Sequence, residues 1–197
     1  KYNFLGSYAD ISPSTSGALP GGRNPTVTNL PFQASLYRIY NNLHSVIGEL
    51  NSVFSNTMSN NFTVGYTSMR DYRESPVGAT PFPTVDIGNG AGQSMTSFGY
   101  EPFSANNKLN SDIFQASNNF TLYLKKNVLT IGAAFEANSF LNGFAPNYYG
   151  GYQFPSLQSF YTSVDSNKST AGQFRQQSSN FAEFPFAKMK GNMLSLY

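Results

Sequence analysis

His44 is the only histidine in the chain, and nothing near it would make it a triad base or a metal ligand. A Ser-His-Asp relay needs a nucleophile and an acid, and a metal needs further donors. No motif supplies either, so His44 reads as a polar strand residue. Glu49 and Glu136 offer two alternatives. They are paired general acids, which demands a set separation, or lumenal carboxylates that meet water or a plug. Gly88-Asn89-Gly90-Ala91-Gly92 has the glycine density of a phosphate loop but lacks the following Lys-Ser/Thr and a strand-to-helix setting. It reads as a flexible loop. Asp10, Asp71, Asp86 and Asp112 lie in or near expected loops without calcium-loop spacing. Asn61, Asn119 and Asn167 each open an Asn-x-Ser/Thr triplet, but two of them fall inside strand patterns, and an Asn-rich chain forms such triplets by chance. Tyr148, Tyr149 and Tyr152, with Phe154, either stack on a sugar or peptide ligand or pack as an aromatic girdle. The chain has no cysteine, which removes disulfides, thiolate metal sites and Cys nucleophiles. The sequence points away from an enzyme, with no catalytic, cofactor-binding or metal-binding residue and no cofactor.

The elements that would position these groups are strands. Between Asn118 and Asn138 two runs alternate with period two around Lys125-Lys126-Asn127. Phe120, Leu122 and Leu124 share one face, and Leu129, Ile131, Ala133 and Phe135 continue it. Thr121, Tyr123, Thr130 and Glu136 take the other. Matching the apolar faces predicts Leu124 opposite Leu129 and Leu122 opposite Ile131, with a two-residue turn at Lys126-Asn127 or a four-residue one around it. Phe62, Val64 and Tyr66 alternate with Thr63, Gly65 and Thr67 in the same way. Leu36 to Phe54 suits either an amphipathic helix or a strand, and Val46, Ile47 and Val53 tilt it toward a strand. That strand should run antiparallel to Phe62–Arg70 across a turn from Ser55 to Asn61. Lys1 to Tyr8 and Phe184 to Tyr197 are further strand candidates. Asp10 to Pro31, Glu74 to Lys108 and Asp165 to Asn180 read as long loops rich in Gly, Pro, Ser or Asn. Leu141 to Tyr161 is aromatic-rich.

Composition narrows what these strands face. Charged residues make up 11% of the chain and aromatics 16%, with no Trp. A soluble domain usually carries about a quarter charged residues, and one this poor in charge risks edge-to-edge association. A barrel wall needs fewer charges because half its strand residues face lipid. Net charge is +2, and the scattered cations give no nucleic-acid footprint. No run reaches the ~18 apolar residues of a spanning helix. Mean hydropathy is −0.33, which suits alternating strands. Short turns alternate with long loops, the asymmetry of outer-membrane barrels.

The run from Glu49 to Asn56, followed by Val64-Gly65-Tyr66-Thr67, resembles wall strands of TonB-dependent outer-membrane receptors, and of their Oar-like branch in particular. Pro81–Ile87, Phe98–Phe103, Asp112–Gln115 leading into Asn119–Tyr123, and Tyr152-Gln153-Phe154 with Ser156–Phe160 follow in the family's order. The resemblance implies a barrel of about 22 strands with a plug, driven through TonB and importing a ligand across the cell outer membrane, in some cases with a surface lipoprotein. The sequence shows neither plug domain nor TonB box. Residues 1–197 therefore read as a partial, all-β, antiparallel transmembrane barrel domain, an internal piece of roughly six strands with long extracellular loops. Expected partners are outer-membrane lipid, the rest of the barrel and its plug, TonB and a surface lipoprotein. Glu49, Thr121, Tyr123, Thr130 and Glu136 should face the lumen. Phe62, Val64, Phe120, Leu122, Leu124, Leu129, Ile131 and Phe135 should face lipid, and Tyr148, Tyr149 and Tyr152 are candidate ligand contacts. A soluble carbohydrate-type binding module and a passive porin-like barrel are the alternatives.

Overall fold

The computed structural model describes residues 2–11, 21–22, 25–78, 81–177 and 183–197, the first two ranges as backbone alone. Parts of the expected loops, at 12–20, 23–24, 79–80 and 178–180, lie outside the described residues. The fold is mostly β-strand and antiparallel, with one α-helix. Strands run β1 Tyr2–Ile11, β2 Gly21–Gly22, β3 Leu36–Ser55, β4 Met58–Glu74, β5 Thr84–Gly88, β6 Ser94–Phe98, β7 Lys108–Tyr123, β8 Val128–Gly143, β9 Gly151–Phe154, β10 Gln173–Arg175 and β11 Ala187–Leu196. The helix α1 spans Leu157–Ser166. Among the described residues no helix is long and apolar enough to cross a membrane.

The long strands form one open sheet in the order β1-β3-β4-β7-β8-β11, with β2 beside β3. Leu36–Ser55 is a strand of 20 residues, so the helical spacing of Leu43, Ile47 and Leu50 was not the deciding signal. Its turn is tighter than expected. Asn56 and Thr57 alone connect it to β4, where Ser55 Oγ accepts from Thr57 N at 3.1 Å, and Phe54 falls at a register shift. The β7–β8 pairing keeps the expected faces but slides by two residues. Leu122 lies opposite Leu129, where Leu124 was expected, and Phe120 lies opposite Ile131, where Leu122 was expected. The reason is the turn, since Leu124 and Asn127 exchange backbone hydrogen bonds at 2.8 and 3.3 Å and leave Lys125-Lys126 as the two-residue loop. A slip of two preserves every face.

The second sheet, β10-β9-β5-β6, corrects the expectation of structureless loops. The stretch from Glu74 to Lys108 contributes β5 and β6, and β5 pairs parallel with β9 from the next long connection. Val85, Ile87 and Phe154 are buried there, with Met95, Phe98, Tyr152, Phe160 and Ala171 packed against them. This cap holds the apolar core, while the long sheet is a single layer. The helix α1 starts where Ser156 Oγ accepts from Ser159 N at 3.1 Å and ends at Asn167, in the left-handed region at φ 51°. It sets Phe160 edge-on against Phe154 and Phe98. Leu30 and Phe32 donate to Met95 O and Ser97 O at 2.9 and 2.8 Å, which fastens the segment before β3 to the cap.

Candidate functional site: the two faces of the long sheet

Cross-strand register fixes which side chains share a face. On one face lie Glu49, Thr121, Tyr123, Thr130 and Glu136, the residues expected at a lumen. On the other lie Phe62, Val64, Phe120, Leu122, Leu129, Ile131 and Phe135. Leu124 sits in the turn just past the end of β7. Among the described residues no second sheet covers the apolar face. Ile131 and Leu124 are each 57% exposed and Phe135 39%, and Val64, Phe120 and Leu122 are half-buried by their neighbours.

The polar face is a hydrogen-bonded ladder built on two copies of one arrangement. In β3, Glu49 Oε1 accepts from Asn51 Nδ2 at 2.5 Å and from Asn61 Nδ2 of β4 at 2.9 Å. In β8, Glu136 accepts from Asn138 Nδ2 and from Gln115 Nε2 of β7, both at 2.6 Å. Each is a Glu-x-Asn triplet whose outer residues share a strand face, clamped by an amide from the adjoining strand. Asn51, Gln115 and Asn138 were not singled out from sequence as site residues, and Asn61 only as the head of an Asn-x-Ser/Thr triplet, although the period-two spacing of both Glu-x-Asn triplets was a usable signal. Around them Ser45 and Thr67 bond at 2.9 Å, and Thr121 and Thr130 at 3.2 Å. Ile47, Thr63, Gly65, Gln115, Ser117 and Glu136 line a shallow hollow on this side of the sheet. Glu49 and Glu136 lie three strands apart, about 14 Å at ~4.8 Å per strand. That exceeds the spacing of paired general acids, roughly 5–9.5 Å.

The apolar face ends in a charged cluster. Arg70 Nη2 meets Asp112 Oδ1 at 2.7 Å, Tyr66 Oη donates to the same oxygen at 2.7 Å, and Arg70 Nη1 donates to Ser111 O at 3.1 Å. Asp71 and Asp112, expected in or near loops, are strand residues of β4 and β7. His44 is a strand residue of β3 opposite Ser68. Among the described residues no group of His, Cys, Asp or Glu is placed to hold a metal.

The three tyrosines do not form one site. Tyr148 and Tyr149 meet at 5.3 Å, Tyr149 packs on buried Tyr100 at 5.3 Å, and Tyr148 on Phe184 at 4.9 Å. Phe184 touches Phe186, whose ring lies under Lys108 Nζ at 4.7 Å. This chain of rings ties the cap to the wall at β7. Tyr152 instead packs on Phe174 at 4.7 Å in the cap sheet. Burial is the leading cause that pushes the Tyr100 phenol up, and Tyr149, Glu101 and Glu74 add to it. Glu101 is 4% exposed, and its Oε2 accepts from Phe103 N at 3.0 Å and Ser104 Oγ at 2.5 Å. Asn61 and Asn119 of the Asn-x-Ser/Thr triplets are strand residues, and Asn167 caps α1.

The chain matches no protein-family model, no curated protein and no solved structure.

Proposed function

We propose that this chain forms part of the wall and outer cap of an outer-membrane β-barrel, of the TonB-dependent receptor kind, that takes up a ligand across that membrane. One observation carries the reading. A single-layer sheet presents an uncovered apolar face on one side and a hydrogen-bonded Asn, Gln, Thr and Glu ladder on the other. In water such an apolar face would be covered by a second layer at ~10 Å. Each fully buried Leu, Ile or Phe contributes about 1.5–3 kcal/mol, so leaving the face in water forgoes that gain many times over. Lipid supplies the cover.

Dimensions agree. From Leu129 to Ser139 a strand climbs roughly 34 Å, and a tilt of about 40° reduces this to about 26 Å, close to the ~25 Å apolar band of such barrels. The strands β3, β4, β7 and β8 have 20, 17, 16 and 16 residues, more than the ~9–11 that cross a bilayer. Their excess length carries the cap outside it. The free edges of β1 and β11 would pair with further strands in a closed wall. Active uptake through a plug and TonB, and any surface lipoprotein, rest on the family resemblance alone.

Because the chain has no cysteine, single substitutions test the wall directly. In membranes, Thr130→Cys should react with a water-soluble maleimide through the lumen, and Ile131→Cys should be shielded from it. Equal labelling of both, or full extraction of the protein without detergent, would sink the barrel. Ligand uptake that persists without TonB would remove the active-transport part alone.

A further inference from the structure

On the apolar face, side-chain character changes abruptly toward the cap. Along β11, Leu196 and Leu194 give way to Asn192, Lys190 and Lys188. On β4, Phe62, Val64 and Tyr66 give way to Ser68 and Arg70, and β7 runs from Phe114 through Asp112 and Asn110 to Lys108. Register aligns these steps. Lys190, Ser139, Asp112 and Ser68 form one cross-strand row, and Lys188, Leu141, Asn110 and Arg70 the next. Lys108 lies one row further on, opposite Gly143. Lys190, Lys188, Lys108 and Arg70 thus stand at the cap-side border of the band, and among the described side chains of these three rows the one carboxylate, Asp112, is already held by Arg70. By register Asp10 of β1 stands at the far end of the Lys190 row, opposite His44. Lys188 and Lys190 are exposed, and among the described residues neither makes an ion pair. On one face they stand about 7 Å apart, a spacing that lets two ammonium groups share one phosphate or bridge neighbouring headgroups.

From this border we infer a lipid-phosphate site. Lys188 and Lys190, flanked by Lys108, bind the phosphomonoester headgroups of lipids in the cap-side leaflet, and so fix the depth and tilt of the wall. The inference rests on the barrel reading above. Charge complementarity selects the partner. Compact ammonium groups at the edge of an acyl-chain region attract anionic headgroups, and each adds about fivefold in binding. A carboxylate-rich protein partner would meet the uncovered apolar band directly beneath these lysines, whereas a phospholipid covers band and lysines together.

The test uses the full-length protein in neutral detergent, titrated with phosphatidic acid or phosphatidylcholine, with bound lipid counted by native mass spectrometry. Wild type should retain phosphatidic acid preferentially. Lys188→Gln/Lys190→Gln should weaken it about thirtyfold, while Lys188→Arg/Lys190→Arg and the distant Lys168→Gln should not. Phosphatidic acid binding unchanged in the double Gln variant would overturn the site. So would displacement of the lipid by millimolar inorganic phosphate, which would mark a soluble-anion site. Heat-dependent gel mobility checks that each variant is folded. A protein that stays folded and monodisperse without detergent would instead refute the barrel itself.

Discussion

Tyr197 lays its ring across Gly132 and donates its phenol to Asn119 Oδ1 at 2.6 Å, so one side chain spans from the sheet edge to the second strand inward. Tyr197 and Gly132 also exchange backbone hydrogen bonds at 2.8 and 3.1 Å. A Cβ on Gly132 would stand 2.5 Å from the ring's Cζ and from Asn119 Oδ1, so the glycine is the space the ring occupies. Gly132→Val should therefore cost about 1–3 kcal/mol by overpacking. Tyr197→Phe, which keeps the ring and loses one hydrogen bond, should cost about 0.5–1.5 kcal/mol. Urea unfolding in vesicles measures both, and a larger loss for Tyr197→Phe would show that the ring does not depend on the gap.

Ile131 and Thr130 are neighbours on opposite faces, which makes them a matched pair. Ile131→Arg should cost about 2–4 kcal/mol if it lies near the bilayer midplane, and Thr130→Arg far less. Equal losses in a vesicle-folding assay would mean that the two faces meet the same medium.

The Arg70–Asp112 pair is 38% and 32% exposed at its two side chains. Solvent screening then limits its worth to about 0–1 kcal/mol, and Asp112→Asn should be mild. A loss beyond about 3 kcal/mol would place the pair in a desolvated setting, inside the acyl-chain region, where a stranded Arg70 is expensive.

The cap should unfold by itself. Ile87 and Phe154 are 3% and 6% exposed in a core shared with no long strand. Ile87→Ala should cost the cap about 2–5 kcal/mol and open the segments around β5 and β9 to protease, with β3, β4, β7 and β8 left protected. Protection lost across the whole wall would show that cap and wall unfold as one unit.

Tyr100 predicts an alkaline limit for the same unit. Its folded pKa is raised, chiefly by burial, above an unfolded value of about 10. The folded state therefore favours the neutral phenol, and this stabilisation is present below pH ~10 and lost as pH rises through the folded pKa. Tyr100→Phe should keep the packing on Tyr149 and weaken the alkaline dependence of cap opening. Hydrogen exchange with the same alkaline onset in both proteins would remove Tyr100 as its source.

The two faces were legible because period-two alternation survives any even slip. Register was not, because Leu122 finds an apolar partner in either Leu129 or Ile131, and only the Leu124–Asn127 backbone pair separates the two. The cap escaped notice for a different reason. Thr84-Val85-Asp86-Ile87 alternates, but four residues flanked by prolines and glycines give too short a pattern to stand out. The same applies to Leu157, Phe160, Tyr161 and Val164, whose helical spacing behind the Ser156 cap was hidden among aromatics. Each Glu-x-Asn triplet stood in plain spacing, but the Asn61 and Gln115 amides that complete the clamps come from adjoining strands, which no single strand displays.

The parallel pairing of β5 with β9 also sets an order of assembly. Thr84 and Gly151 are distant in sequence, yet they become neighbours, and such non-local parallel contacts are slow to close from an unfolded chain. The β7–β8 hairpin removes most of that distance, because it returns Gly143 to the side of Lys108 and leaves a much smaller loop to close. The hairpin is thus a splint for the cap, which comes together only on strands already zipped. On this route the wall strands come first and the cap second.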